Sequence, residues 1–405
     1  MSADVSHARS RPKIYWLLGV ILVAVGCIGG TKLYKSWEQH RIGEFEQLCR
    51  TADQKRDWES LIKTAEEWSQ WRPISADPWL FLAEGYLQTG RTEKALHALD
   101  QIPRHDPKAI PALTKKAEIE FDLLNRPLAS EQTCLELLQL EPRLTVVRSR
   151  LIFFYALSLQ RVKLIEQIRA SIEYGSEPPD AYVYLFLCDH LYFTNGSQLN
   201  SKWLRSSPRS EVLLTAAAVQ FDEIIQRLEN QTEATATTRR ESQEKLNRYL
   251  EQFSRNSALL RYFLHRYAEE SKVDDVARIL AMVPPEAGND SVFWRFRGWY
   301  QAAVDDLEGA EEAYRRSLEL TKIDWRTWQG LAEVLRLKGN LQEAERCQKI
   351  ALTGKRLRQD LLQLPTARDI TDAQLHRISE YADACGDSQL SEHLQRRLQQ
   401  RGYGG

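Results

Sequence analysis

The sequence has little proline, little glycine and no excess charge of either sign. Its 405 residues include 14 Pro and 19 Gly, which leaves little room for the turns of an all-β sandwich or for long disordered regions. The 55 Lys and Arg residues balance 56 Asp and Glu residues, so the formal net charge is −1. A protein that binds nucleic acid through a cationic arm has a marked excess of Lys and Arg. The composition therefore argues against nucleic acid as a partner.

The sequence also lacks the residue spacings that mark common catalytic and metal sites. It contains no Cys-x-x-Cys, His-Glu-x-x-His, phosphate-loop or dinucleotide-binding glycine pattern. Its six cysteines are too few for a disulfide framework in a chain of this length. We therefore predict no catalytic residues, no metal ion, no cofactor and no small-molecule substrate, which means that the protein is not expected to be an enzyme.

One long hydrophobic run lies near the N-terminus. Residues 14–30 carry no charged side chain, and basic residues flank the run on both sides. At about 1.5 Å of rise per residue, this run and its continuation to Tyr34 are long enough to cover the hydrocarbon core of a bilayer. The run has no polar stripe, which disfavours a buried core helix. We predict a transmembrane signal anchor over residues 14–34, preceded by a short basic tail at 1–13.

A second interpretation competes for the same segment. Residues 23–27, Val-Ala-Val-Gly-Cys, resemble a bacterial lipobox, in which the cysteine is lipidated after cleavage, so Cys27 is a candidate lipidation site. A conventional cleaved signal peptide is a third alternative. Slightly more positive charge precedes the run than follows it. This difference favours a single-pass membrane protein whose body lies on the periplasmic, or extracytoplasmic, side.

Internal periodicity dominates the rest of the chain. Trp294 and Trp328 are 34 residues apart, and apolar or small residues recur around both at matching positions. The unit that begins at Ala76 has the same arrangement of residues: Trp79, Leu82, Ala83, Tyr86, Ala95, Leu99, Ile102 and Pro107. Such spacing is typical of two amphipathic helices joined by a short turn.

The chain resembles the tetratricopeptide repeat (TPR) family, whose unit is a 34-residue helix–turn–helix. Small residues at Ala83 and Ala95, and again at Ala332 and Ala344, fit the close contact between helices A and B in that family. The resemblance implies an all-α fold: a TPR-like α-solenoid of antiparallel helix pairs, here preceded by a single N-terminal transmembrane helix.

One stretch breaks the frame of the repeats. The helix pair at about 209–254 is ten residues longer than the frame allows. The excess falls on 229–240, which has no apolar side chain larger than alanine. We therefore predict a polar loop or hinge at 230–240. It divides N-terminal helical repeats at 35–229 from C-terminal helical repeats and a cap at 241–405.

In the resembled family, ligands lie against helix A residues that line a concave groove. The C-terminal units of this sequence place eight residues at the corresponding positions: Arg261, His265, Arg295, Trp299, Arg326, Gln329, Glu333 and Arg336. Arginine recognises carboxylates through paired hydrogen bonds, so we predict a groove that binds acidic protein segments. The corresponding N-terminal positions are more apolar and include Leu80, Glu84 and Leu87. A solvated surface, neutralised by neighbouring Asp and Glu residues, is the alternative interpretation.

Together these features predict a membrane-tethered scaffold for protein–protein interaction, or a chaperone-like assembly adaptor, that binds partner segments in the groove of its repeats. Its expected partners are other proteins, principally membrane or envelope components. The alternative is a regulatory or targeting subunit of a membrane enzyme complex, with catalysis located in another subunit.

Overall fold

The structure, a computed structural model, describes residues 12–189, 191–228, 232–400 and 402, and side chains from residue 32 onwards. None of the described residues lies in a β-strand. The chain forms two compact units, Met1–Lys116 (unit 1) and Ala117–Gly405 (unit 2).

The described chain is built from short α-helices joined by tight turns. In chain order they are α1 (Pro12–Gln54), α2 (Trp58–Trp71), α3 (Ala76–Gln88), α4 (Thr92–Asp100), α5 (Ala109–Glu118), α6 (Pro127–Leu140), α7 (Thr145–Leu157), α8 (Arg161–Tyr174), α9 (Ala181–Leu187), α10 (Gly196–Trp203), α11 (Glu211–Gln226), α12 (Glu233–Gln252), α13 (Ser257–Glu269), α14 (Val273–Met282), α15 (Ser291–Ala303), α16 (Leu307–Leu320), α17 (Trp325–Leu337), α18 (Leu341–Leu362), α19 (Asp372–Ala384) and α20 (Ser388–Gln400). A π-helical turn at Ile119–Leu123 and 3₁₀ turns at Pro285–Asn289 and Ala367–Asp369 complete the helical elements.

The first helix is much longer than the others. α1 has 43 residues and continues without a break from the apolar run to Gln54. Its C-terminal part packs against α2, and Phe45 and Cys49 are buried there. Within the part of the chain that the structure describes, no helix meets the length and hydropathy that a membrane span requires. Most of the predicted anchor at 14–34, including Cys27, lies outside the residues whose side chains are described.

Small residues bring paired helices together, as the repeat pattern predicts. Ala83, Ala95, Ala332 and Ala344 are all buried, with at most 3% of their surface exposed. Gly298 shows how close the contact is, because a Cβ atom added to it would lie 2.9 Å from the Tyr314 side chain on α16. The short turns between partners leave room only for antiparallel packing.

A recurring hydrogen bond fixes the loop that precedes the first helix of several helix pairs. In three repeats an indole N–H donates to the backbone carbonyl six residues earlier: Trp79 to Pro73 at 2.8 Å, Trp294 to Gly288 at 2.8 Å and Trp328 to Lys322 at 2.7 Å. In a fourth repeat Arg148 occupies the same position and donates to Pro142, at 2.8 and 3.1 Å. The repeated tryptophans are therefore half-buried loop anchors as well as packing residues.

The polar segment at 230–240 is mostly helical, contrary to the prediction of a loop. α12 begins at Glu233, where the side chain of Thr232 accepts a hydrogen bond from the backbone N–H of Thr235 at 3.2 Å. Arg239 then donates to the carbonyls of Ile225 and Leu228, at 3.2 and 2.6 Å, and so satisfies carbonyls at the end of α11. Nor does this segment divide the chain, because the boundary between the two compact units follows Lys116.

Trp328→Phe removes the loop-anchoring N–H while keeping an aromatic ring. We expect it to lower the free energy of unfolding of unit 2 by about 1 kcal/mol, since the hydrogen bond to Lys322 is lost. Urea unfolding followed by circular dichroism measures this change. The control is Leu337→Ala, which alters a side chain of unit 2 that is 70% exposed and should shift stability by less than about 0.5 kcal/mol. Equal effects of the two substitutions would contradict the anchoring role.

Candidate protein-binding groove

The eight predicted groove residues lie on the first helices of three successive pairs, α13, α15 and α17. The structure divides them by accessibility. Arg261 and Arg295 are buried, with 7% and 4% of their surface exposed. His265, Trp299, Arg326 and Gln329 are half-buried, and only Glu333 and Arg336 are exposed. Two of the four arginines predicted to line the groove therefore lie in the interior of unit 2.

Arg295 is bound by two carboxylates of its own chain. Its Nη1 contacts Asp324, at 2.5 Å, and also Asp189, while its Nη2 lies 3.4 Å from His265 Nε2. Asp324 is the residue that caps α17, where its Oδ1 accepts a hydrogen bond from the backbone N–H of Arg326 at 3.0 Å. Asp189 comes from a distant part of the sequence, just after α9.

A third carboxylate, Asp290, joins two further arginines. Arg261 Nη1 lies 2.7 Å from Asp290 Oδ2, and Arg161 Nη1 lies 2.8 Å from Asp290 Oδ1. Arg161 Nε also donates to Asp189 at 2.7 Å. Asp290 caps α15 in the way that Asp324 caps α17, with its side chain accepting from the backbone N–H of Val292 at 3.2 Å. We refer to these six side chains as the buried ion cluster: Arg161, Asp189, Arg261, Asp290, Arg295 and Asp324.

The charges in the cluster balance, and this balance explains how it can be buried. Burial alone would raise the pKa of Asp189, but the positive charges of Arg161 and Arg295 outweigh burial and hold that pKa well below its usual value. Burial tends to lower the pKa of Arg161, and the negative charges of Asp189 and Asp290 reverse the effect and raise it. Each charged group in the cluster therefore has a partner of opposite charge, which offsets the cost of removing it from water.

Asp189 reaches the cluster because α8 and α9 pack inside unit 2. Tyr182, Val183 and Leu185 of α9 are almost fully buried, and α9 contacts both α7 and α18. Further ion pairs join this region to the C-terminal helices: Arg169 binds Asp387 at 2.9 Å, and Arg397 binds Glu177. The acidic ligand predicted for the C-terminal arginines is thus supplied by the chain itself.

Two cavities adjoin the buried ion cluster. A cavity lined in part by Tyr155, Leu191, Tyr262 and His265 has a volume of about 50 Å³. That volume holds water molecules but not a peptide segment. The described residues contain no group of three His, Cys, Asp or Glu side chains arranged to hold a metal ion. A second cavity, of about 250 Å³, reaches Arg161 and Arg261 from the side of Glu211 and Asn256.

The corresponding positions in unit 1 have a different character. Leu80, Glu84 and Leu87 on α3 are half-buried and so retain accessible surface. They are spaced i, i+4 and i+7 and therefore share one face of the helix. The amide of Gln88 donates to Glu84 at 2.8 Å at the edge of this face. We refer to Leu80, Glu84 and Leu87 as the α3 face.

Comparison with known proteins agrees with the repeat architecture. The tetratricopeptide repeat family model matches residues 62–119, which confirms the predicted resemblance to that family. Residues 62–119 include most of α2, all of α3 and α4, and the α3 face. None of the curated proteins matches the sequence.

Several solved structures are similar to the chain at low identity. A tetratricopeptide repeat protein from Parabacteroides merdae is 13% identical, with 72% of this chain and 98% of that one covered and a TM-score of 0.26. The APC/C hetero-tetramer Cut9–Hcn1 is 14% identical over 88% of this chain and 78% of that one, with a TM-score of 0.31. The human IFIT1 dimer with m7Gppp-AAAA is 13% identical over 89% and 77%, with a TM-score of 0.32. Similarity at this level says nothing about what this chain binds.

Asp189→Asn keeps the shape of the side chain but removes its charge from the buried ion cluster. Because it leaves buried arginine charge without a counterion, we expect it to lower the free energy of unfolding of unit 2 by about 3–5 kcal/mol. Urea unfolding at pH 7 measures the change. Glu333→Gln neutralises an exposed acid on α17 and is expected to cost less than about 0.5 kcal/mol.

The same substitution should change how stability depends on pH. An aspartate in an unfolded chain titrates near pH 3.9, and the folded-state pKa of Asp189 lies well below its usual value. Its contribution is therefore fully present above about pH 5 and is lost as the pH falls below about 4. The unchanged protein should lose stability more steeply over this range than Asp189→Asn. Identical slopes would show that Asp189 is not paired as described.

Proposed function

We propose that this protein is a membrane-tethered scaffold for protein–protein interaction, or a chaperone-like assembly adaptor, and that its partners bind the α3 face of unit 1. Helix pairs of the TPR type support the general role, because stacked pairs present an extended surface to protein segments. We also propose that it catalyses no reaction and uses no cofactor.

The observation that carries this proposal is the occupancy of the cationic groove. Arg261 and Arg295 already bind Asp290, Asp324 and Asp189. A partner carboxylate would have to displace buried ion pairs before it could reach them, which costs several kcal/mol. On the α3 face, a partner needs only to cover side chains that are already partly exposed. This difference supports the α3 face, rather than the C-terminal arginines, as the proposed binding surface.

The chemistry of the α3 face defines the segment that it would recognise. Leu80 and Leu87 offer apolar contacts about two helical turns apart, and Glu84 places a negative charge between them. An amphipathic helix or extended segment with apolar residues beside a Lys or Arg complements this surface. When a partner binds, each of these half-buried leucines contributes about 25 cal/mol of binding free energy for every Å² of its apolar area that is removed from water.

The tether is the second part of the proposal. Its support is the uncharged run at residues 14–30 together with the continuity of α1 from Pro12 to Gln54. A tether raises the effective concentration of unit 1 around other membrane or envelope proteins, which are the partners we propose. With the α-amino group counted, slightly more positive charge precedes the run than follows it, which favours an extracytoplasmic position for the body.

The pair Glu84→Lys and Leu87→Ser tests the binding surface in the full-length protein. After chemical cross-linking in membranes, we expect recovery of the partner to fall by about tenfold, which corresponds to about 1.4 kcal/mol of lost binding energy. The matched control is Leu337→Ser with Leu341→Ser, which changes two leucines of unit 2 that are 70% and 64% exposed. Melting curves check that both variants remain folded.

The identity of the captured protein separates the two functional classes. An envelope or membrane assembly component supports a scaffold, whereas an enzyme recovered in stoichiometric amount supports a regulatory or targeting subunit. If the α3 variant retained its partner while Arg336→Glu on α17 lost it, the proposed surface would be wrong.

Topology and the type of anchor have a direct test. A reporter enzyme that works only outside the cytoplasm should be active when it is fused after residue 405. The protein should also stay in the membrane fraction after carbonate washing. Cys27→Ser should leave electrophoretic migration and membrane retention unchanged if residues 14–34 are a signal anchor. Loss of retention in this variant would instead indicate a lipoprotein, and a cytoplasmic reporter would reverse the proposed orientation.

A further inference from the structure

An exposed group of aromatic and aliphatic side chains surrounds the point where α1 enters unit 1. Leu33, Tyr34 and Trp37 are 75%, 60% and 53% exposed, although all three are large and apolar or aromatic. The ring centroids of Tyr34 and Trp37 are 6.1 Å apart. Positive side chains at Lys32 and Lys35 lie on the same stretch of α1. Exposed aromatic rings beside Lys residues are characteristic of the bilayer–water interface.

The loop between α2 and α3 lies at the same level of α1. Trp71, at the end of α2, packs edge-on against Trp37 with ring centroids 6.0 Å apart. Arg72 then forms an ion pair with Glu38 at 3.0 Å. These two contacts hold the start of the α2–α3 loop against the turn of α1 that contains residues 37–38.

The tip of this loop is apolar and held in place. Ile74 is 73% exposed, yet the residue before it, Pro73, accepts the hydrogen bond from the indole of Trp79. The backbone N–H of Ser75 donates back to the carbonyl of Arg72 at 3.2 Å. A large aliphatic side chain is therefore displayed on a fixed loop, which is the arrangement of an insertion point rather than of a mobile linker.

The rise of an α-helix gives the depth of this loop relative to the tether. Residues 37–38 follow Tyr34 by three to four positions, or about 5–6 Å along the axis. The interfacial layer on each side of the hydrocarbon core is about 5–7 Å thick. If α1 crosses the bilayer as far as Tyr34, then Trp37 and the α2–α3 loop beside it fall within the headgroup layer. Trp71 also packs against Phe45, with ring centroids 5.9 Å apart, and so extends above that layer.

We propose that unit 1 lies directly on the bilayer that holds the start of α1, with Tyr34, Trp37 and Ile74 inserted among the lipid headgroups. This inference rests on the proposed tether. The uninterrupted helix and the fixed depth of the α2–α3 loop select the lipid surface as the occupant. The ammonium groups of Lys32 and Lys35 complement lipid phosphates at the same depth. α1 then keeps the other helices of unit 1 at the membrane surface and does not hold them away from it in solution.

The test places a polarity-sensitive fluorophore at the loop tip of the full-length protein. Ile74→Cys is labelled after reconstitution at one protein per lipid nanodisc, so that no second copy can cover the site. The cysteines at positions 49, 134, 188, 347 and 385 are buried, and labelling of the unsubstituted protein gives the background from the remaining thiol. Leu337→Cys is the matched control, since that residue of unit 2 is 70% exposed.

We expect the label at position 74 to emit at shorter wavelength than the label at position 337. We also expect brominated lipids to quench it, and to leave the control label unchanged. Retention of the protein in the nanodisc with a water-like, unquenched label at position 74 would overturn the inference and leave the tether intact. Failure of the protein to incorporate into nanodiscs at all would instead refute the tether, and the inference with it.

Discussion

Three arginines and three aspartates buried together determine how unit 2 is packed. Removing an ion from water costs several kcal/mol even after relaxation, so each member of the cluster depends on a correctly placed partner. Two of the pairs repeat with the helices: Arg261 binds Asp290 and Arg295 binds Asp324, each across 29 residues. Both aspartates also cap the helices they precede, which ties the charge pairing to the start of α15 and of α17. Asp189 completes the cluster from outside the repeat frame, and its place requires α9 to lie in the interior.

This requirement distinguishes unit 2 from a simple array, in which each repeat contacts only its neighbours. Arg169 and Asp387 are 218 residues apart in sequence and form an ion pair, and Arg397 meets Glu177 across 220 residues. Contacts of such long range join the region of α8 to the C-terminal helices of unit 2, while Asp189 pairs with Arg295, at a position where a repeat protein usually binds peptides. Unit 1 keeps partly exposed leucines on the equivalent face of α3. Both units are thus built from the same helix-pair motif. In unit 2 the buried ion cluster neutralises the arginines of that motif, whereas the α3 face of unit 1 stays accessible.

The repeat frame predicted the helix pairs because it depends on local periodicity, which the sequence displays directly at Trp294 and Trp328 and at Ala332 and Ala344. Polarity misled the prediction at 230–240, since a helix can form there once Thr232 caps it and Arg239 binds the carbonyls of α11. The burial of Arg295 could not be predicted from periodicity, because its partner Asp189 lies 106 residues away. One signal was nevertheless present: Asp290 and Asp324 stand 34 residues apart, in phase with Arg261 and Arg295, and suggest neutralisation within the repeats.

α9 is a fixed part of the interior of unit 2, and Asp189, just after it, binds an arginine that a partner would otherwise use. Hydrogen–deuterium exchange of the full-length protein, read on the amides of Ala181–Leu187, tests this arrangement most directly. A seven-residue helix has almost no stability of its own, so only packing can protect these amides. We expect the amides of α9 to exchange as slowly as the amides of α13 and α15. Exchange as fast as that of exposed turns would show that α9 leaves the interior readily, and that the arginine-lined groove is open to partners.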